Sequence, residues 1–507
     1  MLTYELFLSR STKSRLEFYQ QFIDLPSKYQ EVGEVAKIRR ISPTSVYRQL
    51  TVINADMNKI RAELGAAPVA NTAEIHQRFN IPTALYAIYL MRNSLVGRFI
   101  MATLRHPAWD VADFAQREHV SKATVFRRLR PLRDYLRDMN ISVNFSPISL
   151  VGRETVVRIT LSELVWQLGQ DGHEMFPELN GLPQRTAEHL LDAHIIMPRF
   201  NRDKLTIICA VNMYRSNQGH ALQIIKPLQQ VFTATGCNLS VRDLPEYVRK
   251  YPATCELVHI QSVLNANYHD ANEQQLIGFV GHHARSNSAC WQLVSQVVHR
   301  MRGIAGVKPQ MLDDQVLIAN LLAITVALDL IGANVPAFEP LIIAAGAPAP
   351  KSLQVMLQQV FSTLPQHLSS FKRIQTGLIT RFLPLLGEVL PDARARVRVA
   401  IDQDMEHCIY VGIREALERM PAVELVDNPK YARLIVSNKL TDYSTVRPRG
   451  DRRYYFALSS YSAWLTLEHL IHYLAIYECD RKTGPGINYT HLDPTVLLKE
   501  VRINSEI

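Results

Sequence analysis

Apolar positions along most of this chain recur at the three- and four-residue spacing of helices, and only two stretches change to the alternation of strands. Leu205 to Arg215 (LTIICAVNMYR) and Leu317 to Leu330 read as long apolar helices, with few strand signals between Pro177 and about Pro391. The longest apolar run, Val316 to Val335, is interrupted by Asn320, Asp329 and Asn334; it is too polar for a bilayer span and predicts a buried core helix. Ile141 to Ile159 (ISVNFSPISLVGRETVVRI) alternates up to Ser146-Pro147 and resumes as an apolar run to Gly152, which predicts a short β-hairpin. The Pro/Ala-rich stretch 336–352 predicts a loop. From Ala393 the pattern changes again: RVRVAI, RLIVSN and YYFALS read as strands, Glu406–Met420 and Tyr461–Glu478 as helices. That order predicts an α/β layer with parallel strands.

At 507 residues, 47% hydrophobic and 20% charged, the chain has the composition of folded protein, enough for about three to five domains. The first residues carry no basic and apolar leader, so a cytoplasmic protein without signal peptide is expected. The cysteines at 209, 237, 255, 290, 408 and 479 show no C-x-x-C spacing, which predicts reduced, packed thiols. Charge changes the picture more. Residues 1–150 hold 21 Lys+Arg against 13 Asp+Glu, and the remaining 357 hold 35 against 34. The excess positive charge is therefore +8 in the first part and +1 in the rest, the distribution of a polyanion-binding module on a neutral body.

The basic part carries one motif twice, 79 residues apart: EVAKIRRISPTSVYRQL from Glu34 to Leu50, and DFAQREHVSKATVFRRL from Asp113 to Leu129. Ala36 pairs with Ala115, Ile41 with Val120, Ser42 with Ser121, Val46 with Val125, Tyr47 with Phe126, Arg48 with Arg127 and Leu50 with Leu129. This is helix-turn-helix spacing. A small Ala lets the second helix approach, a β-branched residue fills the corner, Ser caps the second helix, and Val and Leu pack it inward. The turn position that often holds Gly is Arg40 in one copy and His119 in the other. Leu129, Leu132 and Leu136 continue the inner stripe, while Arg127, Arg130 and Arg137 project oppositely with Arg128 and Arg133 on the flanks. Pro131 lacks a backbone donor and kinks or restarts this helix. Candidate DNA contacts are Ser42, Thr44, Ser45, Tyr47 and Arg48 in the first copy, and Ser121, Lys122, Thr124, Arg127, Arg128, Arg130, Arg133 and Arg137 in the second. Thr51, Asn54 and Asn58 stand where the second copy has Arg130, Arg133 and Arg137, so the second copy is expected to dominate phosphate attraction. The hairpin that follows it reads as the wing of a winged helix-turn-helix.

In these residues the chain resembles the Mga/AtxA family of bacterial regulators of virulence and carbohydrate use. The resemblance lies in the paired motifs, VSKATVFRRLRPL, and LVGRETVVRITLSELVWQLG (Leu150–Gly169), where Gly152, Glu154, Arg158 and Trp166 take the places of a family segment leading into an aromatic-rich helix. It is specific over 30–169 and weaker afterwards. It implies a mainly α multidomain fold with a helix-turn-helix domain at 1–70 and a second, winged one at 71–169. Two helical phosphotransferase-system regulation domains follow at 170–284 and 285–392, then an α/β domain similar to enzyme IIB at 393–507. It further implies a transcriptional activator that binds double-stranded DNA and forms a homodimer or higher oligomer through the C-terminal domain. Its regulation domains would be phosphorylated on histidine, with phosphocarrier protein HPr as donor, and neither a membrane nor a cofactor is implied.

Enzyme IIB domains carry a phosphorylated Cys directly after the first strand; here Ile401-Asp402-Gln403-Asp404 stand there and Cys408 falls a turn into the next helix, so a noncatalytic module is expected. The acceptor position six residues before Arg215, where related antiterminators have His, is filled by Ile208-Cys209, which leaves His220 and His282 as phosphorylation candidates, with His283 adjacent and His367 weaker. His469 and His472 lack an evident third metal ligand. No G-x-x-x-x-G-K-[ST], G-x-S-x-G or H-E-x-x-H motif supports an enzyme. The alternatives are a winged-helix protein of replication or chromosome architecture without phosphorylation control, and a phosphoryl-transfer protein.

Overall fold

The computed structural model describes residues 4–23, 30–39, 41–70, 78–169, 175–192, 201–222, 252–265, 273–303, 312–336, 351–389, 397–401, 407–418, 420, 422–437, 454–457, 467 and 471. The described part is mostly helical, as the periodicity implies. The N-terminal region supplies α1 (Tyr4–Phe7), α2 (Arg10–Ile23), α3 (Val32–Arg39), α4 (Pro43–Glu63), α5 (Thr83–Arg92), α6 (Leu95–Arg105), α7 (Val111–Arg117), α8 (Lys122–Arg128) and α9 (Arg130–Arg137). The hairpin β1 (Ser142–Phe145) and β2 (Ile148–Val151) follows, antiparallel, with Ser142 opposite Val151 and Phe145 opposite Ile148. The helical body comprises α10 (Glu154–Leu168), α11 (Leu182–Asp192), α12 (Arg202–Asn217), α13 (Pro252–Leu264), α14 (Glu273–Arg285), α15 (Ala289–Arg302), α16 (Gln315–Ile331), α17 (Lys351–Ser362) and α18 (Gln375–Val389). The C-terminal part holds β3 (Val397–Ile401), α19 (His407–Glu418), β4 (Val423–Leu425), β5 (Leu434–Ser437) and β6 (Tyr454–Ala457).

Packing divides the chain into two compact units: Met1–Phe18 with Met57–Pro68 and Asn80–Leu390, and Tyr19–Asp56 with Val69–Phe79 and Pro391–Ile507. In the first, buried apolar residues from Leu6 to Leu386 form one continuous cluster. Its centre is α16, against which α13, α14, α15 and α18 pack. Apolar on nearly every side, α16 disposes of its polar groups locally: Thr325 donates to the Leu321 carbonyl (2.8 Å) and Asn320 to that of Val316 (2.9 Å). Asp314 caps its start, and Gly332 ends it at φ +64°, a left-handed conformation that a side chain disfavours. No described helix is long and apolar enough to cross a membrane.

In the second unit the strands form a parallel sheet in the order β4-β3-β5-β6, with Val397 opposite Val423 and Val399 opposite Leu434. Val397, Val399, Leu434 and Val436 share a core with Leu467 and Ile471, the two described residues of the expected last helix. The three expected strands are present. β4, too short to show alternation, is an addition. Lys351 and Ser352, assigned to the 336–352 loop, instead open α17: the loop's last proline precedes them, and Leu353, Leu357 and Phe361 then recur at helical spacing and are buried. Residues 337–350, Asp402–Asp404, His469 and His472 lie outside the described residues, as does the Cys408 side chain. Cys209 and Cys290 are buried.

Candidate nucleic-acid interface

The second helix-turn-helix is built by caps and small residues. The Asp110 side chain accepts the Asp113 backbone N–H (2.9 Å) while the Asp113 carboxylate accepts that of Asp110 (3.0 Å), a reciprocal capping box that starts α7. The Asp113 N–H bond holds the Asp110 carboxyl below its ordinary value. His119 turns the chain at φ +54°, the left-handed conformation for which glycine is common at this place. The Val120 N–H then reaches the Ala115 carbonyl (3.0 Å), and the Ser121 hydroxyl accepts the Thr124 N–H (3.2 Å) to start α8. Val125, Leu129, Leu132 and Leu136 are fully buried. The helix ends at Leu129 and restarts at Arg130, with Pro131 in the first turn of α9, where a missing N–H costs nothing. The basic residues therefore occupy two helices: Lys122, Arg127 and Arg128 on α8, and Arg130, Arg133 and Arg137 on α9, all exposed.

Asp134 is the single carboxylate on that surface of α9, 3.7 Å from Arg130 and 2.8 Å from Arg137, exposed pairs worth little in water. The wing is fastened by aromatic rings. Phe145 meets Phe126 of α8 edge-on (centroids 4.7 Å apart), and the Arg133 guanidinium lies over the Phe145 ring at 5.7 Å. From Ile141 to Gly152 the sequence has no charged side chain. The wing thus brings no charged side chain and packs through Phe145 on Phe126 of α8 and under Arg133 of α9.

A family model, the Mga helix-turn-helix domain, matches residues 84–164. That range runs from α5 through the wing into α10. Over this range the chain is similar to the Mga helix-turn-helix domain. No curated protein matches the chain.

Outside the matched range, the first motif copy repeats the turn of the second. The Ile41 N–H reaches the Ala36 carbonyl (3.1 Å) and the Ser42 hydroxyl accepts the Ser45 N–H (3.2 Å), the bonds made by Val120 and Ser121. Arg40 lies outside the described residues. Val46, Leu50, Ile53, Met57 and Ile60 are buried along α4. Thr44 and Arg48 are exposed and Tyr47 is 62% exposed, so these candidates face outward. The hydroxyls of Ser45 and Thr124 lie 2.8 and 3.0 Å from those of their capping partners, Ser42 and Ser121. Asn54, the counterpart of Arg133, is buried, with its amide near the Val69 carbonyl (3.4 Å).

Behind the wing lies a buried ion cluster whose Glu154 and Arg158 belong to the segment that carries the family resemblance. Glu154 accepts from Arg158 (2.8 Å) and from both Nε and Nη2 of Arg215 (3.0 and 2.6 Å). Arg158 donates further to Asn212 Oδ1 (3.0 Å) and to the His220 carbonyl (2.8 Å). Burial first, then Arg215, lowers the pKa of half-buried His220 and favours its neutral ring. His282 is half-buried on α14, its ring edge-on to that of His283 at 5.3 Å. His283 is buried with Nδ1 2.8 Å from the Ser288 hydroxyl, and His367 is exposed against Gln292 (2.7 Å). Among the described residues, no three His, Cys, Asp or Glu side chains gather as a metal site. Sequence reading missed Phe145 and Gln218. Phe145 stood in the predicted hairpin, but nothing in the pattern paired it with Phe126.

Proposed function

We propose that this protein is a transcriptional regulator of the Mga/AtxA type, an activator that binds double-stranded DNA mainly through the second helix-turn-helix. The observation that carries this reading is the arginine surface of α8 and α9 on a capped Mga domain. Arg127, expected near the start of its helix but exposed in the last turn of the seven-residue α8, reads base edges in this proposal, and Arg130, Arg133 and Arg137 contact the backbone. The first motif adds a second contact through Tyr47 and Arg48. Comparing genome-wide DNA occupancy of the wild type and of a deletion of residues 1–150 tests this, and unchanged occupancy would refute it.

Two further parts of the proposal rest on the resemblance. Residues 393–507 mediate self-association as an enzyme IIB-like module, supported by a parallel sheet with no cysteine directly after its first strand. Sedimentation of a chain ending near Pro391 should show dissociation, and a fully dimeric truncation at low micromolar concentration would refute it. Phosphorylation of His220 or His282 from HPr tunes activity or oligomeric state, by adding roughly 1.5 to 2 negative charges by analogy with other phosphoresidues. The neutral ring favoured at His220 supports a nucleophilic nitrogen there. After incubation with the general phosphotransferase proteins, no label on any histidine would remove this control, and label only elsewhere would remove these two candidates.

A further inference from the structure

The family match ends at residue 164, yet the last turn of α12, about fifty residues further on, holds the DNA-binding domain at three places. Arg215 donates to the Leu150 carbonyl of wing strand β2 (3.4 Å) as well as to Glu154. Gln218 donates its amide to the carbonyls of Thr103 (3.2 Å) and Leu104 (2.7 Å), two of the four left without helical partners at the end of α6. The Tyr214 hydroxyl donates to Glu178, which pairs with Arg105, the last residue of α6 (2.7 Å). The same helix end thus grips the wing and the helix that precedes the helix-turn-helix, and α6 and β2 also pack on each other. The grip at the wing is ionic and buried. Arg158 and Arg215, 1% and 2% exposed, share the one carboxylate of Glu154, so a shift of α12 would disturb both buried ion pairs at once.

We infer that Arg215 and Gln218 are positioning residues for DNA recognition, and that the functional DNA-binding unit extends to residue 220. The inference rests on the DNA-binding reading above. Neither side chain needs to touch DNA. Arg215 fixes β2, β2 carries β1 by its ladder, and Phe145 of β1 braces Phe126 and Arg133 on the recognition helices.

The test uses the full chain and a duplex selected by the wild type from a random-sequence pool, with a scrambled duplex as control. Arg215→Gln should weaken selected-duplex binding about tenfold, the size expected for a lost charged hydrogen bond, with less effect on the scrambled duplex. The slope of log affinity against log salt should stay unchanged, whereas Arg137→Ala should flatten it by about 0.9. Hydrogen exchange of the wing amides, residues 142–151, should accelerate in Arg215→Gln and not in Arg137→Ala. Gln218→Ala, at a half-buried position, should shift both readouts in the same direction by less, and it keeps the test valid if Arg215→Gln does not fold. If the wild type binds no duplex, the DNA reading falls. If it binds, and folded variants match it in both affinity and wing exchange, the positioning role falls alone.

Discussion

The two motif copies make the same turn and then part. Each has a main-chain bond across the corner to its small Ala, and each has a serine cap over the next helix. Beyond that, α4 runs 21 residues without a break and presents Arg48 and Tyr47 outward, while α8 stops after seven and α9 continues under Pro131. The break separates the arginines onto two axes, and a wing and a buried ion cluster stand behind the second copy. The difference shows how one duplicated motif can be specialised. In the proposed reading, a continuous helix with polar outward residues makes the modest contact, and a broken, braced, arginine-bearing pair makes the dominant one.

The largest effect should come from Glu154→Ala, which removes the carboxylate shared by two buried guanidiniums. Loss of one partner of a buried ion pair costs about 3–5 kcal/mol. Hydrogen exchange should show that loss in the wing and α12 and leave α4 at wild-type protection; equal loss in α4 would join the two copies into one cooperative element. Cap removal should be smaller and symmetric. Ser121→Ala and Ser42→Ala should each cost about 1 kcal/mol by thermal or denaturant unfolding, since the two caps share one geometry. A marked inequality would mean that the turns are not energetically equivalent.

The smallest effect is a pH dependence confined to the second copy. Residues 1–75 contain no histidine. Near the second copy, the pKa of His106 is lowered by burial, Arg117 and Arg105, and that of His220 by burial and Arg215, from an ordinary 6.5. Lowered values mean that the folded chain resists protons that the unfolded chain accepts. The stability both rings contribute is therefore complete above about pH 6.5 and is lost as pH falls through their folded-state values. Exchange protection of the wing should decline over that range, and His220→Gln should shallow the decline. Protection that rises on acidification would reverse the sign argued here.

The sequence showed the duplication, the caps, the leucine stripe and the hairpin because each is a local pattern with a fixed spacing. Pro131 signalled either a kink or a restart, and only the backbone at Leu129 separates the two. In the sequence Asn54 is one of the polar counterparts to the arginines; its burial beside Val69 depends on a segment fifteen residues away. The contacts of Arg215 with Leu150 and of Gln218 with Leu104 join residues 65 and 114 apart, where periodicity carries no information. Glu154 and Arg158 were visible as a resemblance, and their role as two members of a buried cluster needed α12 in place.

The division of labour between the copies is tested most directly by salt titrations of Arg127→Ala, Arg137→Ala and Arg48→Ala on selected and scrambled duplexes. Arg127→Ala should cost roughly 1–3 kcal/mol on the selected duplex alone, as a base-reading arginine does. Arg137→Ala should weaken both duplexes alike and flatten the salt slope by about 0.9. Arg48→Ala should have the smallest effect of the three. If it weakens binding more than both second-copy variants, the second helix-turn-helix does not dominate and the account is wrong.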